Sequence, residues 1–443
     1  LSFYSVDLKY TEDVEHYYDV LRALPWAVWL DSCGLSRYDI ISAAPHHTLS
    51  VFESNEDPFE LLRHELNAKA AAMPNVPFAG GVLGYWSYDL ARPMYSITEL
   101  AQDAENTPKM AVGIYDWALL VDHQQKRTRL VSHLRYPETQ QLLEDIKLRL
   151  AHPPVIHSQP FHVHGKVQSN FSRSSYEHAY YQVQAYLQSG DCYQINLAQR
   201  FSAQATGDAY EAYRYLRVIS PAPYAAFLNI PNLQVLCASP ERFLSVQHGM
   251  VETKPIKGTR PRGRDAQQDQ LFIDDLARHP KDRAENLMIV DLLRNDLGKS
   301  CVPGSVCVPK LFEIESYSNV HHLVSTVQGQ LVGGRTAVDV LRDCFPGGSI
   351  TGAPKQRAMQ IIEQLEPHRR GVYCGVIGYI GFDGNMDSNI VIRSLIYSHG
   401  EIRSWAGGGI VADSNCADEY QETLDKASAM LALLKRFGAQ INL

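Results

Sequence analysis

The first third of the chain is built of short apolar runs broken by turn residues. Trp26-Ala27-Val28-Trp29-Leu30 and Ala118-Leu119-Leu120-Val121 read as strands. Gly80-Gly81-Val82-Leu83-Gly84-Tyr85 reads as a strand packed closely against other backbone. From about residue 171 the pattern becomes more regular. Tyr176 to Gly190 predicts a helix, with Ser174 or Ser175 as its cap and Gly190 just past its end. Val235-Leu236-Cys237-Ala238 and Val372 to Phe382 predict strands. Leu287, Met288, Leu292 and Leu293 make an apolar stripe, so Ala284 to Leu293 predicts a helix. A last helix, Tyr420 to Leu434, carries Leu424, Ala427, Met430 and Leu434 on its apolar face. Strands and helices do not alternate strictly, which disfavours a doubly wound parallel sheet. The expected class is α+β, with antiparallel sheets and helices outside them.

Residues 151–170 are rich in His, Pro, Ser and Gln and have no apolar period, so they predict a linker. The expected organisation is a first region 1–150, a linker 151–170 and a second region 171–443. At 443 residues, 45% hydrophobic and 20% charged, the composition is that of a globular protein. The net charge of −8 and the lack of a basic run disfavour nucleic-acid binding. No apolar stretch is long enough to span a bilayer, and Leu1-Ser2-Phe3-Tyr4 has no signal-peptide pattern. Eight scattered cysteines without a C-x-x-C pair predict reduced thiols and a cytoplasmic location. Cys301 and Cys307 lie closest together, and nothing nearby completes a zinc site.

The chemistry concentrates in the second region. Lys257 lies between Ile256 and Gly258, sixteen residues after Glu241. A desolvated lysine loses its proton readily and becomes a nucleophile, and an acid within reach can donate and accept protons. Asp282 and Glu285 are three apart at a helix start, and Glu419 and Glu422 repeat that spacing. If the two starts meet, four carboxylates converge and need cations; an all-oxygen set suits Mg²⁺. Otherwise these acids complement two helix dipoles. Pro346 to Lys355 is glycine-rich, but Ala353 stands where a phosphate loop needs lysine; the turn can still offer N–H groups to an anion. Ala406-Gly407-Gly408-Gly409-Ile410 lets backbone amides approach a carboxylate, or else marks a bend or bulge. Arg393, alone in an apolar strand, calls for an anionic partner. Tyr379 lies in a comparable strand. His321-His322 is not part of H-E-x-x-H; one of the pair is expected inward and the other outward.

Gly190-Asp191-Cys192-Tyr193-Gln194-Ile195-Asn196, Ser239-Pro240-Glu241-Arg242-Phe243, Asp282 to Asp291, Asp418 to Thr423 and the glycine-rich turns together resemble the chorismate-utilising enzymes. The matching stretches span most of residues 171–435, and the first region resembles that of the ammonia-using members. The resemblance implies an α+β sandwich of antiparallel sheets. It implies that Glu241 is the acid that protonates the leaving hydroxyl. It makes Glu285 and Glu422 Mg²⁺ ligands, with Glu419 and Asp282 beside them. Gly258, Thr259, Gly407 and Gly409 would contact the ring carboxylate of chorismate. Tyr379 and Arg393 would clamp the enolpyruvyl carboxylate, Ser349 would join the substrate site, and His322 would stand near the leaving group.

Lysine at 257, where members that aminate C2 carry alanine, resembles the branch that aminates C4 through a lysine adduct at C2. The product serves 4-aminobenzoate and folate synthesis. Nitrogen would come from a separate glutamine amidotransferase subunit (component II), since this chain lacks a Gly-x-Cys-x-Gly nucleophile motif. A second pocket for L-tryptophan is implied by Ser32, Arg37, Tyr38, Pro223, Tyr224 and Ala225. The alternatives are C2 amination, as in anthranilate synthesis, and a non-catalytic tryptophan-binding regulatory subunit. The second of these would predict damage at Glu241, Glu285 or Glu422, and all three are intact.

Overall fold

The computed structural model describes residues 3–52, 56–67, 70–155, 158–317 and 320–442. Successive side chains along its strands point to opposite faces, and that alternation builds the architecture. Val28, Ala226, Leu228, Val235 and Cys237 belong to one apolar core; their neighbours Trp29, Phe227 and Leu236 belong to another. The first core lies between two antiparallel sheets, of twelve and ten strands among the described residues. The second lies under helices Glu15–Leu21, Tyr210–Ile219 and Cys416–Arg436, through Tyr18, Tyr213 and Met430. The result is the α+β sandwich with helices outside.

The two regions of the sequence share both sheets. In the larger sheet Ala27–Asp31 pairs with Tyr224–Ile230, with Trp29 opposite Phe227. In the smaller, Gly81–Trp86 pairs with Val376–Gly381, with Gly84 opposite Gly378. A Cβ at Gly84 would lie 2.2 Å from the Ala111 carbonyl oxygen, so the close backbone packing expected of this stretch is real.

The linker expected at 151–170 is half strand. His162–Ser169 pairs with Gln194–Thr206 and buries Val163 and Val167, a period-two signal masked by the histidines and glutamines around it. Residues 156 and 157 of that stretch lie outside the described residues. The helix predicted from Tyr176 runs Arg173–Gln188 and is capped by Ser172. Ser172 Oγ accepts from the Ser175 N–H at 3.1 Å, and Ser175 Oγ accepts from the Ser172 N–H at 2.9 Å. Ser175 is thus the answering residue of the cap, three positions inside. The strand predicted from Val372 begins only at Val376, after a turn.

Two adjacent crossings carry the chain between sheets. Leu233–Ser239 in the larger sheet leads through Pro240 and Glu241 into Arg242–Gln247 of the smaller. Met386–Ile390 leads back through Arg393 to Ser394–Ser398. The crossings are tied together: Ser239 Oγ donates to the Ile390 carbonyl at 2.6 Å, and the Ile390 N–H to the Glu241 carbonyl at 3.0 Å.

Candidate active site

At these crossings lies a cavity of about 670 Å³. Lys257 reaches it because the strand Ile256–Pro261 bulges. Ile256 pairs with Val324 and Thr259 with His322, so Lys257 and Gly258 together oppose one residue. A bulge re-aims the side chain it carries. Gly258 has φ +80°, and a Cβ there would lie 2.8 Å from both Asp282 Cγ and Leu276 Cδ1. Lys257 Nζ sits 3.5 Å from the Ser349 carbonyl oxygen. Burial pushes its ammonium below the usual lysine range, against the pull of Glu285 and Glu241. Glu241 is 6% exposed. Burial raises its carboxyl, while Ser349 and Lys257 draw it down. A lysine biased toward the free amine thus shares a cavity with an acid biased toward holding its proton.

His322 lines the same cavity, and its Nδ1 lies 2.9 Å from Thr259 Oγ1. Burial, with Arg393 adding to it, pulls its imidazolium down to about 4, so the ring is neutral at pH 7. Where one of the pair is expected outward, His321 too is covered. It is fully buried beneath the helix Ala266–Arg278, with Nδ1 2.7 Å from Ser316 Oγ and Nε2 2.9 Å from Asp269 Oδ1. The pair does face opposite ways, but both ways are covered.

The two acidic helix starts do meet. Helix Pro280–Gly298 brings Asp282 and Glu285, and helix Cys416–Arg436 brings Glu422, to the cavity wall. Glu419 stands behind, 3% exposed, with Ser414 Oγ donating to Oε1 at 2.6 Å and Oε2 without a hydrogen-bond partner. Burial raises the carboxyls of Glu285 and Glu419. Burial acts the same way on Glu422, but Lys426, bonded to it, outweighs that and holds it low. Asp282 is tied to His279 Nδ1 and Arg260 Nη2, each at 3.1 Å. Oxygen-only donors and an unanswered buried oxygen fit a hard divalent cation, which takes one or two carboxylates and fills its shell with water and substrate. Among the described residues no three ligating side chains already converge as a closed cage.

Gly407 and Gly409 line the cavity from the strand Glu401–Ile410. That strand pairs with Gln194–Thr206 in unbroken register, so the glycines mark neither bend nor bulge. A Cβ at Gly409 would come within 2.4 Å of Gln194 Nε2. Arg393 lies in the sheet crossing, not within a strand, at φ +52°. Its carbonyl accepts from the Ala238 N–H at 3.1 Å, but no hydrogen bond or ion pair among the described residues engages its guanidinium. Ser349 sits in a short turn whose carbonyl accepts from Asn196 Nδ2 at 2.8 Å. The lysine that ends this glycine-rich stretch, Lys355, points away to Asp296 Oδ2 and the Cys344 carbonyl.

Tyr379 is elsewhere. It is 4% exposed, its ring lies 5.1 Å from that of Phe78, and it lines a second cavity. Tyr373 takes the place beside Arg393 in the first, stacked on Trp405 at 5.9 Å. The turn at 372–375 puts it there, and sequence reasoning, which ran the strand through that turn, missed it. Lys281 and Lys426 were also missed, although each stands four residues from an acid at helical spacing.

The second cavity, about 580 Å³, is lined by Arg37, Tyr38, Pro223, Tyr224 and Ala225 as well as Asp31, Arg242 and Asn389. Ser32 does not line it. Its N–H and Oγ donate to Asp39 at 2.9 and 2.8 Å, and it is 1% exposed. Arg37 is held by Asp122 at 2.8 Å. No helix among the described residues is long and apolar enough to cross a membrane.

Residues 27–432 match the family described as chorismate binding enzyme. The chain is 47% identical over 441 residues to aminodeoxychorismate synthase component 1 of Klebsiella aerogenes, covering 95% of this chain and 96% of that protein. It is 45% identical over 456 residues to the protein of the same name in Escherichia coli K12, covering 97% and 98%. Among solved structures it resembles anthranilate synthase component I from Streptococcus pneumoniae TIGR4, at TM-score 0.80 and 32% identity over 89% of this chain and 92% of that one.

Proposed function

The chain belongs to the chorismate-binding enzymes, and from that premise we propose that it aminates chorismate at C4, giving 4-amino-4-deoxychorismate for 4-aminobenzoate and folate synthesis. The observation that carries this reading is Lys257, desolvated at a bulge and facing the cavity with Glu241. The names of the relatives at 45–47% identity point the same way.

The chemistry runs as two displacements. The free amine of Lys257 adds at C2, the two ring double bonds shift along, and the C4 hydroxyl leaves as water with a proton from Glu241. Ammonia then adds at C4, the double bonds shift back, and the lysine leaves C2. Glu241 takes the proton that the incoming ammonia gives up. Arg393 and Tyr373 would hold the enolpyruvyl carboxylate, and the backbone of Gly407 and Gly409 the ring carboxylate. Neutral His322 would sit near the leaving group as a hydrogen-bond partner rather than a charge. Glu285 and Glu422, with Glu419 behind them, would hold Mg²⁺, whose charge would offset that of the substrate carboxylate. Ammonia would be delivered by a separate glutamine amidotransferase subunit. L-Tryptophan would occupy the second cavity as a structural ligand. A cytoplasmic site of action goes with this reading, as all eight cysteines are free thiols.

The test is product identification with purified protein, chorismate, Mg²⁺ and ammonium. 4-Aminobenzoate formed only after an aminodeoxychorismate lyase is added is the expected result. Anthranilate formed without the lyase would overturn it.

A further inference from the structure

Lys281 sits between the two acidic helix starts, and no step above uses it. Its Nζ lies 4.0 Å from Glu285 Oε1 on its own helix and 3.7 Å from Glu419 Oε1 on the other. The remaining acids have their own cations: Asp282 has Arg260, and Glu422 has Lys426. Glu419 is nine-tenths buried and more, and its Oε2 is unanswered. That oxygen points toward Gly408, where a Cβ would lie 2.8 Å from it and 3.3 Å from Glu422 Oε1. Two carboxylates therefore converge on a glycine, and Lys281 is the cation that spans from one helix to the other. At 3.7 and 4.0 Å neither contact is a hydrogen bond. The side chain is 39% exposed. Its seat is electrostatic, and its flexible stem can withdraw into water.

We propose that Lys281 is a tethered counter-cation of the metal site, which neutralises Glu285 and Glu419 when no metal is present and is expelled when a divalent cation binds. This rests on the reading of Glu285 and Glu422 as Mg²⁺ ligands. Each binding event must then displace an ammonium, so Lys281 weakens Mg²⁺ binding and keeps the acids from splaying apart without it.

Calorimetric titration of MgCl₂ into EDTA-treated full-length protein, without substrate, tests this in the wild type, K281M and K281R. Mg²⁺ affinity should rise about fivefold in K281M, the scale of one partly exposed ion pair, and stay near wild type in K281R. Thermal melts in EDTA should show K281M melting below wild type and gaining more on added Mg²⁺. If the wild type binds Mg²⁺ and K281M binds no more tightly, the role given to Lys281 is wrong and the metal site stands. If the wild type shows neither heat nor a melting shift with Mg²⁺, the metal reading fails and this proposal with it.

Discussion

Lys257 combines two opposed demands: it must be buried enough to lose its proton and close enough to acids to be held in place. Burial prevails over Glu285 and Glu241, so the amine is poised. Lys257→Ala should abolish 4-aminodeoxychorismate formation and leave at most slow attack of ammonia at C2. Chromatography of the products distinguishes the two, and unchanged C4 amination would defeat the covalent step. His322 gives a stability prediction with a definite sign. Its folded pKa, about 4, lies below the ordinary 6.5, so the unfolded chain binds the proton first. The penalty is absent above about pH 6.5, grows as pH falls, and is complete below about 4. His322→Gln should therefore lose less melting temperature than wild type between pH 7 and pH 5. Parallel melting curves would show that the ring is not held neutral. At this scale the sequence was most readable where chemistry demands a rare residue: Lys257, Glu241 and three of the four paired acids reach one cavity, with Glu419 just behind its wall. It was least readable for Tyr373 and Tyr379, two tyrosines six positions apart in one apolar run, whose directions depend on where a turn ends and a strand begins.

The bulge at Lys257-Gly258 is the element on which that placement depends. Alanine at 258 would hold φ +80° against its own preference and drive a methyl group toward Asp282 and Leu276. Gly258→Ala should cost about 1–2 kcal/mol from the backbone alone. Urea unfolding measures it, and activity should fall further than stability because Lys257 is re-aimed. A variant as stable and active as wild type would mean the bulge is not needed. Strands and helices with clean periods were legible, among them Ala27–Asp31, Ala118–Asp122 and Pro280–Gly298. His162–Ser169 was not, because its outward positions carry the polar residues that usually mark loops. The three glycines at 407–409 left two readings open, and only the unbroken pairing of that strand removed the bulge.

For the whole molecule, the division at 151–170 is a feature of the sequence rather than of the fold. Five strands of the larger sheet and three of the smaller come from the first region. Residues 171–443 expressed alone should therefore fail to fold, since Tyr224–Ile230 and Val376–Gly381 would each lose a neighbouring strand. Near-ultraviolet circular dichroism and limited proteolysis of the fragment would show it; a compact, protease-resistant fragment would disprove it. Sequence composition could place the boundary but not the pairings across it, which join residues about 200–300 positions apart. The same pairings bear on how the protein is made. Gly81–Trp86 leaves the ribosome about 290 residues before Val376–Gly381, an interval of roughly 15–60 s at ordinary rates of translation. For that time the nascent chain presents an apolar strand with an open edge, so shielding by a chaperone during synthesis should raise the yield of enzyme without changing the stability of the finished fold.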